Sequence, residues 1–311
     1  MKLLIVGGSG YVGGYLTDLL KEQGYDITVY DNLTYEKYYL KNVNFIYGDV
    51  RDYDLINNII NNFDIVIWLA ALVGDGACSI NPELTYEINT HSVNNLCNNY
   101  QGKIIFISTC SIYGFSNDVI DEDGKKNPLS VYASTKLEAE DLIKKRNNNF
   151  LIIRLGTVFG LSDQFSRIRL DLVVNILTLK AANKEALTVF GGDQFRPLIH
   201  VKDVGLFINH SLIKNISGIY NLSYKNFKII DIAKEIKKNF VDCEINYSNQ
   251  MFQDNRNYKV SNERVIKTNF NFSYDLNSGI KELSKIFIEK RIKNTNDEIY
   301  NNHTFLKKYL R

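Results

Sequence analysis

Cysteine is scarce in this chain, and the few cysteines present lie far apart. Cys78, Cys97, Cys110 and Cys243 form no Cys-x-x-Cys pair, and no cluster of histidine and cysteine has the spacing of a zinc site. This scarcity argues against a disulfide framework and against a metal site. The simplest interpretation is free thiols in a reducing compartment, which favours a cytoplasmic protein.

Long hydrophobic runs and a strong excess of charge are also missing. The first apolar run, residues 3–6, is too short for a signal peptide, and no run approaches the roughly 20 residues that a membrane helix needs. The formal net charge is +2, and the aromatic residues lie within apolar runs rather than among clustered lysines and arginines. We therefore expect neither a membrane segment nor a nucleic-acid partner.

What the chain does have is a regular alternation of apolar runs with helical patterns. Strands are predicted at residues 2–6, 27–30, 44–47, 64–71, 103–108 and 150–155. Helices are predicted at residues 13–23, 53–62, 83–100 and 131–145. Strands that are apolar throughout are typical of a sheet buried on both faces. The pattern therefore predicts an α/β fold with a Rossmann-type, doubly wound parallel sheet.

After about residue 165 the rhythm changes. Further elements are predicted at residues 168–182, 187–190, 204–213, 219–222, 227–239 and 276–291. A length of 311 residues suggests about two domains. We therefore expect an NAD-binding Rossmann domain at residues 1–165, with a return at residues 196–222, and a smaller α/β substrate domain at residues 166–311.

The case for a dinucleotide rests on a glycine-rich loop, residues 7–13, between the first strand and the first helix. Glycines let the chain turn sharply and let a pyrophosphate approach, and the helix N-terminus offers N–H groups to the phosphates. Glycine also makes ordinary turns, but a strand before and a helix after provide the required context. The predicted contacts come from Gly7, Gly10, Tyr11, Val12 and Gly13.

Polar residues after the next two strands refine the choice of cofactor. Asp31, followed by Asn32, lies near the distance of about 20 residues at which a carboxylate binds the adenosine ribose. It would repel the extra phosphate of NADP, and no arginine follows it, so NAD is the predicted cofactor. A turn residue is the alternative for Asp31. Asp49 and Val50 are predicted beside the adenine, although Asp49 could equally cap the next helix.

Tyr132 and Lys136 are four residues apart on a predicted helix and therefore share one face. A tyrosine titrates near 10. We expect the ammonium and the positive nicotinamide of NAD+ to lower the pKa of this phenol, which could then accept a proton from a substrate alcohol. A solvated helix face is the alternative. The catalytic interpretation is favoured because Ser108, Thr109 and Ser111 follow a buried strand. Ligands of parallel sheets bind at this end of the strands.

Together these residues resemble the extended short-chain dehydrogenases/reductases, specifically the nucleotide-sugar epimerase/dehydratase group. The glycine loop, Asp31, Asp49-Val50, Leu69-Ala70-Ala71, Thr109, Tyr132-x-x-x-Lys136 and residues 196–204 (RPLIHVKDV) occur in the family's order. The match covers nearly the whole chain. It implies an NAD-dependent enzyme that acts on a nucleotide-activated sugar.

The resemblance also implies roles for single residues. Thr109 would hold the reacting hydroxyl together with Tyr132, and Lys136 would bind the nicotinamide ribose. The implied cofactor contacts are Leu69, Ala70, Ala71, Ser108 and Val158. Asn89 either supports the active site or lies on a helix surface.

On the substrate side, the resemblance implies contacts from Val73, Thr109, Ser111, Thr157, Asn175, Arg196 and Arg256. Arginine suits a diphosphate because its fork donates two hydrogen bonds, but for each arginine a surface ion pair is the alternative. Thr157 stands where the family often has asparagine, and that departure puts the usual phosphate-side contact in doubt.

Missing residues narrow the reaction that the resemblance implies. Dehydratases of the family follow the threonine with Asp-Glu, whereas Cys110 and Ser111 follow Thr109 here. Family members that epimerise carbons 3 and 5 have a cysteine at the position of Ser111 and a histidine later in the chain. Here the first position is serine, and residues 161–164 contain no histidine. A 4-epimerase and a dehydrogenase that stops at the 4-keto sugar remain. A non-catalytic NAD(H) sensor is the rival class.

Other segments resemble a bacterial branch of the family that makes unusual deoxy sugars and heptoses. They are residues 73–75, 108–111, 171–175 and 256–260. This resemblance implies a GDP-linked manno-heptose as the favoured substrate and a place in capsular polysaccharide synthesis. In the family, helices such as residues 83–100 and 131–145 pair across a two-fold axis, so a homodimer is expected.

Overall fold

The computed structural model describes residues 1–146, 149–248 and 257–309. Its strands are β1 Lys2–Val6, β2 Asp26–Asp31, β3 Asn44–Tyr47, β4 Ile65–Trp68, β5 Lys103–Thr109, β6 Phe115–Ile120, β7 Phe150–Leu155, β8 Thr157–Phe159, β9 Leu187–Phe190, β10 Phe195–His200, β11 Gly218–Leu222, β12 Lys225–Lys228, β13 Ile245–Ser248 and β14 Asn257–Val260.

The α-helices are α1 Tyr11–Glu22, α2 Tyr53–Ile60, α3 Asp75–Cys78, α4 Pro82–Tyr86, α5 Ser92–Asn99, α6 Val131–Arg146, α7 Val173–Ala182, α8 Val201–Ile213, α9 Ile229–Asn239, α10 Glu263–Ile266, α11 Leu276–Ile288 and α12 Asn302–Tyr309. A π-helical turn, Glu87–His91, joins α4 to α5, and 3-10 turns form at Cys110–Tyr113 and Glu298–Tyr300. No helix within these described residues is long and apolar enough to span a membrane.

Seven parallel strands form the main sheet, in the order β11-β7-β5-β4-β1-β2-β3. Successive residues of β1 enter two different cores. Leu3 and Ile5 pack with α1 and α8 on one face, and Leu4 and Val6 pack with α2, α5 and α6 on the other. Burial of both faces requires the unbroken apolar strands seen in the sequence. The predicted doubly wound α/β fold is confirmed.

Strand order reverses between β1 and β4, and in open α/β sheets ligands bind at such a switch point. Smaller sheets have the orders β12-β10-β8, β13-β9 and β14-β6, and some of their strands precede the last strand of the main sheet in the chain. A separate core packs α7, α9 and α11 against β8, β9 and β10. Strand β11 pairs with β7 in the main sheet, whereas β10 pairs with β8 and β12. The division of the chain at residue 165 stays a proposal.

Element boundaries differ from the sequence-based expectations in places where a local pattern is ambiguous. The helix expected at residues 83–100 contains the π-helical turn, and the helix expected at residues 168–182 begins at Val173. Short strands such as β6, β8 and β10 have no sequence signal of their own, because their partners are far away in the chain. Helix α12, near the end of the chain, was also not expected.

Candidate active site

A long cavity runs along the carboxyl edge of the main sheet. Its volume of about 1210 Å³ exceeds the roughly 300–1,000 Å³ of a typical small-molecule pocket. The predicted residues that line it are Gly7, Gly10, Tyr11, Val12, Gly13, Asp31, Asn32, Asp49, Val50, Leu69, Ala70, Ala71, Val73, Ser108, Thr109, Ser111, Tyr132, Thr157, Val158 and Arg196. The cavity has room for a dinucleotide and a second ligand.

The glycine loop needs its glycines for steric reasons. Gly7 has a φ of +83°, and a Cβ there would lie 2.5 Å from the backbone nitrogen of Ala70. A Cβ on Gly13 would lie 2.4 Å from the carbonyl oxygen of Gly8. The loop is thus pressed against its own first turn and against the segment that follows β4. This leaves a backbone cradle at the start of α1, which fits the pyrophosphate of NAD.

Asp31 organises this cradle. Its carboxylate accepts hydrogen bonds from the backbone N–H of Ser9 at 3.1 Å and of Leu33 at 2.8 Å. The carboxylate lies at the end of β2 and lines the cavity, where it could also accept hydrogen bonds from ribose hydroxyls. It therefore combines the turn role that we left open with the position that ribose binding requires.

Asp49 lies beside Asn32, whose amide donates to it at 3.0 Å. It does not cap the next helix, because the cap of α2 is Asp52, which accepts the N–H of Leu55 at 3.0 Å. A hydrogen bond from the Arg51 guanidinium lowers the pKa of Asp49 to about 2. Arg51 was not predicted, because it follows β3 rather than Asp31 in the chain. Its charge is offset by this ion pair.

Tyr132 and Thr109 meet inside the cavity. Both side chains line it, and Thr109 accepts the backbone N–H of Ser111 at 3.1 Å. Burial raises the pKa of Tyr132, while the neighbouring Thr109 acts in the opposite direction. The expected lowering of this pKa therefore does not come from the protein side chains alone. It needs the positive nicotinamide as well.

Lys136 lies one helical turn after Tyr132 but does not line the cavity. Its ammonium is 3.9 Å from the centroid of the Phe106 ring, and the residue is 2% exposed. Burial lowers the pKa of Lys136 to about 7, and the carboxylate of Glu140 opposes this effect. The contact of Lys136 with the nicotinamide ribose stays a prediction.

Glu140 is a buried residue that the sequence analysis missed. It accepts three hydrogen bonds from Arg154 on β7, at 2.7, 3.0 and 3.2 Å, and one from the hydroxyl of Ser108 at 2.5 Å. Both ionic side chains are 0% exposed. Glu140 thereby ties the helix of Tyr132 to the strand that ends at Thr109. Its spacing of four residues from Lys136 was an available signal.

Asn89 also helps to hold the helix of Tyr132 in place. Its amide oxygen accepts the N–H of Leu72 at 2.8 Å, and its amide nitrogen donates to Leu72 O at 2.9 Å and to the hydroxyl of Thr135 at 3.2 Å. The residue is 1% exposed, so the helix-surface alternative is wrong. The π-helical turn places Asn89 inward, a common position for such turns near functional sites.

Asn175 requires a correction, because it lies beneath the cavity rather than beside a diphosphate. Its oxygen accepts the N–H of Gly160 at 3.0 Å, and its nitrogen donates to Arg169 O at 2.9 Å and to the hydroxyl of Tyr11 at 3.4 Å. Its side chain is fully buried and its polar atoms are occupied. Asn175 therefore supports Tyr11 and Arg169. Arg256, another predicted contact, lies outside the described residues.

Other cavity residues were also missed. Tyr258 on β14 places its hydroxyl 3.4 Å from that of Ser111. Arg167, Arg169 and Asn302 line the cavity close to Val73, although they come from distant parts of the chain. No sequence motif predicts such residues, because only the folded structure brings them together.

The fold and the cavity define a dinucleotide-binding enzyme of the Rossmann type. Comparison with known proteins agrees, since the NAD dependent epimerase/dehydratase family matches residues 3–223. The chain belongs to this family, and it is an NAD-dependent enzyme. The predicted family, cofactor and enzyme class are confirmed.

Individual relatives show the range within the family. The UDP-glucose 4-epimerase of Halalkalibacterium halodurans is 29% identical, covering 79% of this chain and 83% of its own. The ADP-L-glycero-D-manno-heptose-6-epimerase of Brachyspira hyodysenteriae is 26% identical, again covering 79% and 83%. The crystal structure of Thermotoga maritima UDP-glucose 4-epimerase, at 22% identity, gives a TM-score of 0.80 over 94% of this chain and 100% of that one. That structure shows the shared fold.

Proposed function

We propose that this protein oxidises carbon 4 of a nucleotide-activated sugar and passes the hydride to NAD. We propose GDP-manno-heptose as the substrate and its 4-keto form as the product, which makes the protein a GDP-manno-heptose 4-dehydrogenase. The observation that carries the proposal is that Tyr132 and Thr109 line the same cavity as the glycine loop. This arrangement presents a proton acceptor and a hydroxyl to one substrate oxygen.

Each catalytic side chain has a separate task in this mechanism. Thr109 orients the reacting hydroxyl of the sugar, and Tyr132 accepts its proton as general base. Lys136 is held near Tyr132 on the same helix face. When the amine of Lys136 is protonated, its positive charge stabilises the tyrosinate. When bound, NAD supplies the acceptor for the hydride that leaves carbon 4. Cys110 and Ser111 supply no carboxylate directly after Thr109, where the dehydratases that this family resembles carry Asp-Glu.

The rest of the cavity would bind the two nucleotides. We propose that Gly7, Gly10, Tyr11, Val12 and Gly13 hold the pyrophosphate of NAD, with Asp31 on the ribose and Asp49 and Val50 at the adenine. Remaining cofactor contacts would come from Asn32, Leu69, Ala70, Ala71, Ser108 and Val158. We propose that Val73, Ser111, Thr157, Arg196 and Arg256 bind the sugar nucleotide.

The experiment is to incubate the protein with NAD+ and GDP-D-glycero-α-D-manno-heptose and to identify the product by NMR. A 4-keto sugar, formed with reduced nicotinamide, supports the proposal. Clean conversion to the C4 epimer rejects it and favours a 4-epimerase, the activity named for the relatives from Halalkalibacterium and Thermotoga. If neither product forms although NAD(H) binds, the result favours the non-catalytic NAD(H) sensor.

Two properties accompany this proposal. We propose a cytoplasmic protein that serves capsular polysaccharide synthesis, and a homodimer formed through α4, α5 and α6. These three helices pack together beside the site, so pairing would stabilise the helix that carries Tyr132. Sedimentation at micromolar concentration should show a dimer, and a monomer alone would contradict this assembly.

A further inference from the structure

A group of polar side chains lines the cavity where the chain's last described segment meets the rest of the site. We call Glu36, Arg167, Arg169, Asp171 and Asn302 the tail cluster. All five line the cavity. They come from the loop after β2, the loop before α7, and α12. The mechanism above uses none of them.

Hydrogen bonds fix the tail cluster in place. Arg167 donates to Ile299 O at 2.7 Å and to the amide oxygen of Asn302, and its guanidinium lies 4.0 Å from the centroid of the Tyr35 ring. Arg169 makes two hydrogen bonds to Asp171, at 2.8 and 2.9 Å. Such two-point ion pairs hold a guanidinium rigidly. The cluster is therefore a built surface rather than a set of mobile side chains.

The tail cluster lies next to the reacting residues. Arg169 and Tyr132 line the same cavity. Asn302 donates to the carbonyl oxygen of Val73 at 3.1 Å, and Phe305 on the same helix packs in a core with Leu72 and Tyr132. A group attached one or two bonds from the reacting carbon would therefore meet this cluster.

The charges of the tail cluster largely cancel. Arg167 and Arg169 carry positive charge, and Asp171 and Glu36 are the carboxylates that face them. Glu36 accepts the backbone N–H of Arg167 at 2.9 Å. A carboxylate or phosphate on the sugar would meet Asp171 and Glu36 as well as the arginines. A sugar hydroxyl both donates and accepts, and here it finds N–H donors and carboxylate acceptors side by side.

We propose that the tail cluster binds a neutral, hydroxylated extension at carbon 5 of the sugar, such as carbons 6 and 7 of a heptose. The inference rests on the proposed function, because it assumes reaction at carbon 4 beside Tyr132. Carbon 5 is bonded to carbon 4, so its substituent must lie near that residue. Arg167 and Asp171 are the specificity-determining residues, and α12 completes their site.

Binding measurements test this inference separately from turnover. Calorimetry with NADH present, so that no sugar is oxidised, compares GDP-D-glycero-α-D-manno-heptose, GDP-mannose and GDP-mannuronate, which share the nucleotide and differ in the substituent at carbon 5. We expect the heptose to bind at least tenfold more tightly than either hexose derivative. Equal affinity for heptose and mannose, or a preference for the mannuronate, would overturn the inference. A heptose preference without any oxidation would support the tail cluster while rejecting the proposed dehydrogenase.

Variants then assign the preference to residues. Arg167→Gln and Asp171→Asn should each weaken heptose binding about tenfold or more, with less than a threefold change for GDP-mannose. Arg291→Gln is the matched control, since its side chain is 65% exposed in a surface ion pair. A heptose preference that persists in both folded variants would contradict the assignment. If Arg167→Gln fails to fold, the near-isosteric Asp171→Asn still decides.

Discussion

The two walls of the cavity are built in different ways. The cofactor wall consists of residues 7–13, 31–32, 69–71 and 108–111, and it presents backbone groups and short side chains at the ends of neighbouring strands. The wall that we propose for the substrate, here called the substrate wall, consists of polar side chains from distant segments: Arg167, Arg169, Arg196, Tyr258 and Asn302. Parallel strands can therefore position a cofactor through local motifs, whereas substrate choice depends on how remote segments of the chain meet. We therefore expect cofactor-wall changes to affect every substrate alike.

The largest effect should follow from Tyr132→Phe. Loss of the general base should lower kcat by about 10²–10⁴-fold, while NAD affinity and the melting temperature change little. Steady-state kinetics and a binding titration measure both. Tyr247→Phe is the control, because Tyr247 is 66% exposed on β13 and lies outside the helices of the proposed dimer. Turnover that survives Tyr132→Phe would remove the assigned base.

Glu140→Gln should come next. It leaves the Arg154 guanidinium buried without its carboxylate, so the free energy of unfolding should fall by about 3–5 kcal/mol. The rate should fall for every sugar, because Ser108 and α6 lose their common anchor. Denaturant unfolding and kinetics are the measurements. Glu263→Gln, whose side chain is 76% exposed and lies outside the helices of the proposed dimer, should change neither; equal effects at the two positions would refute the anchor.

Gly7→Ala should weaken NAD binding at least tenfold, since the added Cβ would lie 2.5 Å from the Ala70 backbone and push the loop out of shape. Gly24→Ala is a matched control. Gly24 also has a positive φ, +81°, but a Cβ there meets nothing within 4 Å. The control should lose about 1 kcal/mol of stability from backbone strain and keep its NAD affinity. Equal NAD binding by both variants would contradict the cradle.

The pH dependence should reflect the phenol. Burial raises the pKa of Tyr132, so the protonated form dominates near neutrality and the tyrosinate fraction rises up to tenfold for each pH unit below that pKa. Oxidation, measured as kcat/KM, should therefore rise with pH between about 6 and 9. Because Lys136 has a pKa of about 7, its loss of charge should flatten the rise above that pH. A rate that falls with pH would point to a general acid instead.

The smallest effect should come from Tyr258→Phe on the substrate wall. Removing the hydroxyl beside Ser111 should raise KM for the sugar nucleotide by about two- to tenfold, the range of one hydrogen bond. NAD affinity should not change. If NAD binding weakened as much as substrate binding, the separation of the two walls would fail.

The same contrast explains what the sequence could and could not predict. The main sheet and the glycine loop were predictable because strand burial and turn geometry leave local patterns. The position of Asn175 was not predictable, since a single asparagine on a helix can face a cavity or lie in the layer beneath it. Glu140 looks like a solvated residue in sequence, yet burial with Arg154 makes it structural. The tail cluster depends on the position of α12, which only long-range packing fixes.

The most direct test of hydride transfer uses GDP-manno-heptose labelled with deuterium at carbon 4. A single turnover with NAD+ is analysed by mass spectrometry of the nicotinamide cofactor and of the sugar. Our account predicts deuterium in the reduced cofactor and an unlabelled 4-keto sugar. A consumed sugar that keeps its deuterium at carbon 4 would contradict it.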